Sequence, residues 1–215
     1  MSSCPLCNSK KNTLYSQDKT GEYRLCSVCS LVFVLKEYYL DDEAEKARYD
    51  LHTNSCEDAG YRKYLTKVSE PVIKRLDKGA QGLDFGSGPG PTLSLIFEDA
   101  GFDMKIYDHF YARDEEALEL KYDFITSTEV VEHLYEPKAV LNKLWSILNE
   151  NGLLCILTQL YPDQEAFSSW YYKNDPTHVC FFSLKTLSWL AEQWKAELET
   201  VDKDLFIFKK VYYGN

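Results

Sequence analysis

The sequence predicts an α/β fold, a mostly parallel sheet closed by an antiparallel hairpin, with a small N-terminal ribbon that binds metal. Three observations predict it. Leu83-Asp84-Phe85 is an apolar strand end running into the glycine turn Gly86-Ser87-Gly88-Pro89-Gly90 and then the amphipathic stretch Thr92 to Ala100. Further downstream, short apolar runs alternate with helical patterning, the signature of strand–helix–strand units. Ahead of both stand two Cys-x-x-Cys pairs, Cys4/Cys7 and Cys26/Cys29.

The 215 residues, 45% hydrophobic, suffice for one main core and a small appended module. A net charge of −10 and a pI near 4.9 disfavour sequence-independent binding to phosphate backbones, which needs a basic surface. Nucleic acid is therefore the less favoured partner. No long apolar run is present, and Met1-Ser2-Ser3-Cys4 has neither the charged start nor the apolar core of a signal peptide, so the expected location is the cytoplasm, with no membrane partner. Seven cysteines in such a chain read as reduced thiols and metal ligands.

Residues 1–36 read as a zinc ribbon. Cys4, Cys7, Cys26 and Cys29 converge if the span between them folds as a hairpin, and four thiolates suit tetrahedral Zn2+. Tyr23-Arg24-Leu25 and Leu31 to Val34 supply strands, and the apolar exit Leu31 to Leu35 is expected to pack on the main domain. A redox Cys-x-x-Cys would want one pair in a thioredoxin-like setting, not two.

Residues 37–78 read as a helical connector and lid. Glu37 to Arg48 favours a helix with acidic residues at its start, at Asp41-Asp42-Glu43. Tyr49 to Asn54 breaks the pattern. Tyr61, Tyr64, Leu65 and Val68 then recur at helical spacing, with Pro71 expected to kink or divide that helix.

Residues 79–215 form the main domain. After the glycine turn, Met104 to Asp108 reads as the second strand and Tyr122 to Thr126 as the next. A helix opened by Pro137 carries Val140, Leu141, Leu144, Ile147 and Leu148 and is closed by Gly152. Leu153 to Thr158 reads as a buried strand, Ser183 caps a helix reaching Trp194, and Glu197 to Asp202 with Leu205 to Val211 form the closing hairpin.

Glycines at 86, 88 and 90 allow a tight turn and close approach to a ligand, at the start of a helix whose first N–H groups are free. That describes a nucleotide-type site. The spacing is not the Gly-x-Gly-x-x-Gly of dinucleotide enzymes, and no Gly-Lys-Ser/Thr follows, which excludes a P-loop. Asp108, at the end of the second strand, stands where an acid hydrogen-bonds a ribose in such sheets.

Asp84-x-Gly86-x-Gly88-x-Gly90 resembles motif I of class I S-adenosylmethionine (SAM) methyltransferases, Asp108 their ribose acid, and Glu129-Val130-Val131-Glu132-His133-Leu134 the post-strand motif of many small-molecule members. The resemblance covers the chain from about Gly79 onward. The whole chain also resembles a bacterial methyltransferase group that joins a zinc ribbon to a Tyr-x-x-His-x-Asn segment, here Tyr49, His52 and Asn54, and to a Trp-Tyr-Tyr-x-x-Asp-Pro-Thr-His-Val segment, here Trp170 to Val179. It implies a Rossmann-like methyltransferase sheet, SAM as cofactor and methyl transfer as chemistry. Asp84, Gly86, Ser87, Gly88, Gly90, Asp108, His109, Thr128 and Glu129 are the cofactor-binding residues that follow. One departure stands out. Only Tyr111 to Lys121 lies where the family fits a helix and a third strand, so that edge strand and the adenine pocket are expected to be abbreviated or replaced.

The amino-methylating signature Asn/Asp-Pro-Pro-Tyr is replaced by Ser127-Thr128-Glu129-Val130, and the cysteines nearest the expected nucleophile position, Cys155 and Cys180, read as core thiols. An oxygen or nitrogen of a small molecule therefore leads as acceptor. A hydroxyl would need its proton removed, and His178 oriented by Asp175, with His52 across the acceptor pocket, are the expected catalytic group. His133 reads equally well as structural. Trp170, Tyr171 and Tyr172 wall that pocket, cradle the sulfonium by cation–π contact, or pack in the core. The alternatives are an RNA methyltransferase that uses the ribbon as a substrate clamp, and a SAM-binding interaction module without turnover.

Overall fold

The computed structural model describes residues 2–51 and 55–211. The ribbon consists of β1 (Asn12–Asp18), β2 (Gly21–Cys26) and β3 (Val32–Val34), paired antiparallel in that order. Asp18 Oδ1 accepts from the backbone N–H of Thr20 at 2.8 Å and tightens the first hairpin.

A short 3₁₀ turn at Lys36–Tyr38 precedes α1 (Asp42–Tyr49). The single helix expected from Glu37 is thus two pieces, because Asp41 takes the N-cap: its side chain accepts from Ala44 N at 2.9 Å and fixes the start there. The second helix, α2 (Ala59–Ile73), is capped by Asp58 and runs through Pro71 undivided. Pro71 lies in the last turn, where a missing N–H interrupts little helix beyond it.

The main sheet is built from β4 (Gln81–Phe85), followed by α3 (Thr92–Asp99), then β5 (Asp103–Tyr107), β6 (Tyr122–Thr128), α4 (Pro137–Ser146) and β7 (Leu148–Leu157). The short α5 (Gln164–Phe167) and β8 (Cys180–Phe181) come next, then α6 (Leu184–Trp194), β9 (Glu197–Asp202) and β10 (Leu205–Lys209). Strand order is β5-β4-β6-β7-β10-β9. The first four are parallel and the last two add the antiparallel closing hairpin. Between β5 and β6 there is only a 3₁₀ turn, Glu115–Glu119, so β5 is the sheet edge and no further strand covers it among the described residues. Gly152 does not end α4, which stops at Ser146; it sits inside β7, where a Cβ would meet Asn149 O at 2.9 Å and Asp123 O at 3.0 Å. Its role is close backbone approach beside a register irregularity in the pairing of β6 with β7.

Both sheet faces are buried, and period-two alternation divides the strands between them. Phe124, Leu153, Cys155 and Leu157 pack with Leu65, Val68 and Val72 of α2 and with Leu93 and Phe97 of α3. Ile125, Leu154 and Ile156 face the other way, toward Leu141 of α4, Leu187 of α6 and the ribbon residues Tyr23 and Phe33. The ribbon joins that second core through a strand distant in sequence: Val32 and Phe33 of β3 pair with Phe181 and Cys180 of β8, giving a four-stranded sheet β1-β2-β3-β8. Among the described residues no helix is long and apolar enough to cross a membrane.

Candidate active site and metal centre

The glycine turn leaves β4 at the C-terminal edge of the sheet. Gly86 (φ +81°) and Gly88 (φ +64°) occupy the left-handed region that a side chain disfavours. A Cβ on Gly86 would stand 2.3 Å from Val130 Cγ2, so the turn is pressed onto the residue that follows Glu129. Nothing lies within 4 Å of the corresponding position on Gly88, whose backbone faces open space. The Asp108 carboxylate accepts from Gly88 N (2.9 Å), Phe110 N (2.9 Å) and Tyr111 N (3.0 Å), locking the loop after β5 beside the turn. His109 projects exposed, its ring edge-on to Phe110.

Asp84 is buried, and its Oδ1 accepts from Thr126 Oγ1 at 2.8 Å. Burial, reinforced by the charge of Asp108, pushes its carboxyl up to about 6. Glu129 holds a left-handed backbone (φ +53°) while its N–H donates to Leu157 O at 2.9 Å. Ser87 Oγ and Thr128 Oγ1 are buried polar atoms with no hydrogen-bond partner among the described residues, as is Ser127 Oγ. Such atoms fit a site that a polar ligand completes. Asp84, Gly86, Ser87, Gly88, Gly90, Asp108, His109, Thr128 and Glu129 thus gather where the neighbouring parallel strands β5, β4 and β6 end, the position at which α/β sheets bind ligands.

A second group adjoins this edge. Glu132 is fully buried, and its Oε2 accepts from Thr158 Oγ1 at 2.9 Å. The Tyr172 hydroxyl sits between two carboxylates, bonded to Glu132 Oε1 and, at 2.9 Å, to Glu129 Oε2. Tyr64 of α2 donates to Glu129 Oε1 at 3.2 Å. Burial, then the charge of Glu129, pushes the Glu132 carboxyl well above the usual range. His133 and His178 pack ring to ring at 4.5 Å; His133 Nδ1 is 3.2 Å from Thr177 O and His178 Nδ1 is 2.6 Å from Tyr172 O.

The role of orienting His178 Nδ1 therefore falls to the Tyr172 carbonyl. The Asp175 carboxylate is engaged elsewhere, accepting from Thr177 N (3.0 Å), Thr177 Oγ1 (2.7 Å) and Arg48 Nη2 (3.2 Å). Burial alone would raise Asp175, but the Thr177 hydrogen bonds, the charge of His178 and the Arg48 hydrogen bond outweigh it and pull its carboxyl down to about 2. Arg48 belongs to α1, whose Tyr49 ring also lies edge-on to His133 and against Phe110. So α1 rests over the same edge. His52 and Asn54 lie outside the described residues, and with them the pairing of His52 and His178 across a pocket. Of the three aromatics, Tyr172 is buried in the carboxylate network, Trp170 packs on Phe167 and Phe181, and Tyr171 is exposed. Cys155 and Cys180 are buried core thiols.

In the ribbon, Cys4, Cys7, Cys26 and Cys29 bring their Sγ atoms within 4.8 Å of one another, with Cys4 to Cys29 at 3.5 Å and Cys7 to Cys26 at 3.4 Å. The two knuckles fold alike. Asn8 N donates to Cys4 O and Ser30 N to Cys26 O, and both Asn8 and Ser30 take positive φ. A compact set of four sulfurs on two matching turns suits a tetrahedral metal.

A family described as "Methyltransferase domain" matches residues 58–201, which span the glycine turn, Asp108, Glu129, Glu132 and His178. The chain belongs to this family. Its fold is shared with solved methyltransferase structures at low identity. An O-methyltransferase family protein from Burkholderia thailandensis superposes with a TM-score of 0.52 at 10% identity, over 80% of this chain and 64% of that one. A protein from Methanococcus maripaludis described as a SAM-dependent methyltransferase gives 0.53 at 15%, covering 80% and 94%. Magnesium protoporphyrin IX methyltransferase from Synechocystis PCC 6803, solved with bound S-adenosylhomocysteine (SAH), gives 0.51 at 13%, covering 81% and 97%. This chain thus spans less than two thirds of the Burkholderia protein's length. Comparison with curated proteins finds no match.

Within this methyltransferase domain, Glu132 and Thr158 adjoin the candidate site although sequence reasoning gave neither a chemical role, and they bring Tyr172 and His133 together there. The signal was present in Glu129-x-x-Glu132-His133, which follows β6 directly and so delivers two carboxylates and an imidazole to the sheet edge. Nothing in the sequence shows that Tyr172 reaches back to both carboxylates.

Proposed function

We propose that this chain transfers a methyl group from SAM to an oxygen or nitrogen of a small-molecule acceptor. The observation that carries the reading is the contact of Gly86 with Val130, which sets the cofactor turn against the segment bearing Glu129, Glu132 and His133. SAM supplies a methyl group on a sulfonium, already a good leaving group. The protein's work is alignment and exclusion of water, and orientation alone can supply roughly 7–11 kcal/mol. In this reading Asp108 takes the ribose, the exposed backbone at Gly88 and the hydroxyls of Ser87 and Thr128 contact the cofactor, and His109 flanks it. His178 and His133 stand at the acceptor end and help make the acceptor nucleophilic, with His52 as a further acceptor-side residue. Asp175 acts as a positioning residue that ties α1, through Arg48, to the loop carrying His178. Cys4, Cys7, Cys26 and Cys29 hold a structural Zn2+, and residues 37–78 serve as connector and lid. Transfer of labelled methyl from SAM to the low-mass fraction of a metabolite extract tests the acceptor class. Label confined to RNA or protein would contradict it.

A further inference from the structure

We propose that Glu132, His133 and His178 hold a divalent cation that binds a hydroxyl of the acceptor, so that methylation occurs on oxygen. A carboxylate oxygen of Glu132 and one ring nitrogen each of His133 and His178 lie within 4.8 Å of one another, a spacing that one ion can span. The three side chains come from two separate segments, the turn after β6 and the loop before β8, yet each is fixed.

The imidazoles are set for ligation. A carbonyl oxygen can only accept, so the Nδ1 atoms facing Thr177 O and Tyr172 O donate, and in the neutral imidazole that tautomer puts the lone pair at Nε2. Metal-ligating histidines are held in this way by an outer carbonyl or carboxylate. Glu132 is held likewise, by Thr158 and Tyr172.

Charge balance points the same way. Glu132 and Glu129 share the one phenolic proton of Tyr172, which can serve only one of them at a time. Among the described residues neither carboxylate forms an ion pair with a lysine or arginine. Two carboxylates around a buried phenol, beside two imidazoles, make a pocket of negative charge that a divalent cation neutralises. Mixed oxygen and imidazole donors suit Mn2+, Fe2+, Co2+ or Zn2+, whereas the four thiolates of the ribbon select the softer zinc site.

Three protein ligands leave positions open. The inference rests on the methyl-transfer reading for what fills them: an acceptor hydroxyl on the cation, whose acidity the cation raises. The O–H bond then breaks with its proton passing to the Glu129 carboxylate and on to solvent. The oxygen's electron pair forms the new O–C bond, and the S–C bond breaks with its pair staying on sulfur as the neutral thioether SAH. The histidines assist by ligation and not by taking the proton.

Protein with its ribbon zinc quantified is titrated with Mn2+, following the loss of the free-ion signal by electron paramagnetic resonance. Wild type is expected to bind one Mn2+ per chain beyond the zinc, and His178→Ala and Glu132→Gln to weaken binding about tenfold or more while the ribbon zinc stays in place. His178→Ala decides the matter if Glu132→Gln does not fold. Failure of wild type to bind Mn2+, or binding unchanged in folded His178→Ala, overturns the inference. SAH calorimetry on the same samples separates the two readings: SAH binding without Mn2+ binding sinks the cation alone, whereas Mn2+ binding without SAH binding supports the cation site and sinks methyl transfer.

Discussion

Gly86 and Val130 are in contact across the end of the sheet, with room for no Cβ between them: one placed on Gly86 would stand 2.3 Å from Val130 Cγ2. The turn after β4 and the turn after β6 therefore set each other's position. Each carries half of the candidate site.

Gly86→Ala is expected to fail twice, from a side chain at φ +81° and from the clash with a stiff β-branched neighbour. The backbone strain alone costs about 1–2 kcal/mol. Denaturant unfolding should show at least that loss, with SAH affinity falling as well. Adding Val130→Ala should return part of the stability, because it removes the clash and leaves the strain. Equal stability of Gly86→Ala and wild type would show that the two turns are not locked together.

Asp84 makes a pH-dependent prediction. Its carboxyl rises from an ordinary 3.8 to about 6 on folding, so the folded state favours the protonated form. The stability this contributes is full below the unfolded value and is lost as pH rises through about 6, a difference on the order of 3 kcal/mol. Asp84→Asn keeps an acceptor for Thr126 and removes the buried charge. The variant should be more stable than wild type at pH 8, and the gain should shrink as pH falls toward 5. A variant less stable than wild type at pH 8 would show that the buried charge is compensated.

The ribbon's strands end in β8, so losing its metal should be felt in the main core. One zinc per chain is expected to copurify, as structural zinc contributes apparent energies of about 10–16 kcal/mol in finger peptides. Cys4→Ser should release it, and the unpairing of Val32 and Phe33 from Phe181 and Cys180 should lower the unfolding temperature of the whole chain. Metal analysis that finds no zinc in protein purified without chelator would contradict this.

Tyr172→Phe removes the hydroxyl shared by Glu129 and Glu132 while keeping the ring. Loss of a buried hydrogen bond to a charged group costs about 1.5–3 kcal/mol. The Glu132 carboxyl is raised on folding, so its stabilising contribution is lost as pH rises, and without the phenol the loss should deepen. Stability measured at pH 6 and pH 8 should show the larger deficit at pH 8. A deficit that is absent, or larger at the lower pH, would mean that Tyr172 does not support the carboxylate charge.

Local signals made much of this architecture legible. The glycine turn, the capping Ser183 and the continuous apolar runs of β6 and β7 each act within a few residues, and sequence patterns record such local physics well. Gly152 was misplaced because a helix end and a close backbone approach both favour glycine, and only tertiary contact with Asp123 O decides between them. The split before α1 turned on which of several acidic residues became the cap. The site was half visible. Thr128 ends a strand and Asp108 and Glu129 directly follow strands, so all three fall on the sheet edge by register, while the reach of Tyr172 to Glu129 and Glu132, across some forty residues of chain, leaves no periodic trace.

The most direct measurement of the central claim is calorimetric titration of wild type, Asp108→Asn and Asp108→Ala with SAM and SAH. Both ligands carry the ribose, and the Asp108 carboxylate also anchors Gly88, Phe110 and Tyr111 through their N–H groups. Asn can keep one of its acceptor positions and Ala keeps none. The account predicts that wild type binds both ligands, that Asp108→Asn weakens both, and that Asp108→Ala weakens both further. Wild type binding neither ligand, or Asp108→Ala binding them as tightly as wild type, would contradict it.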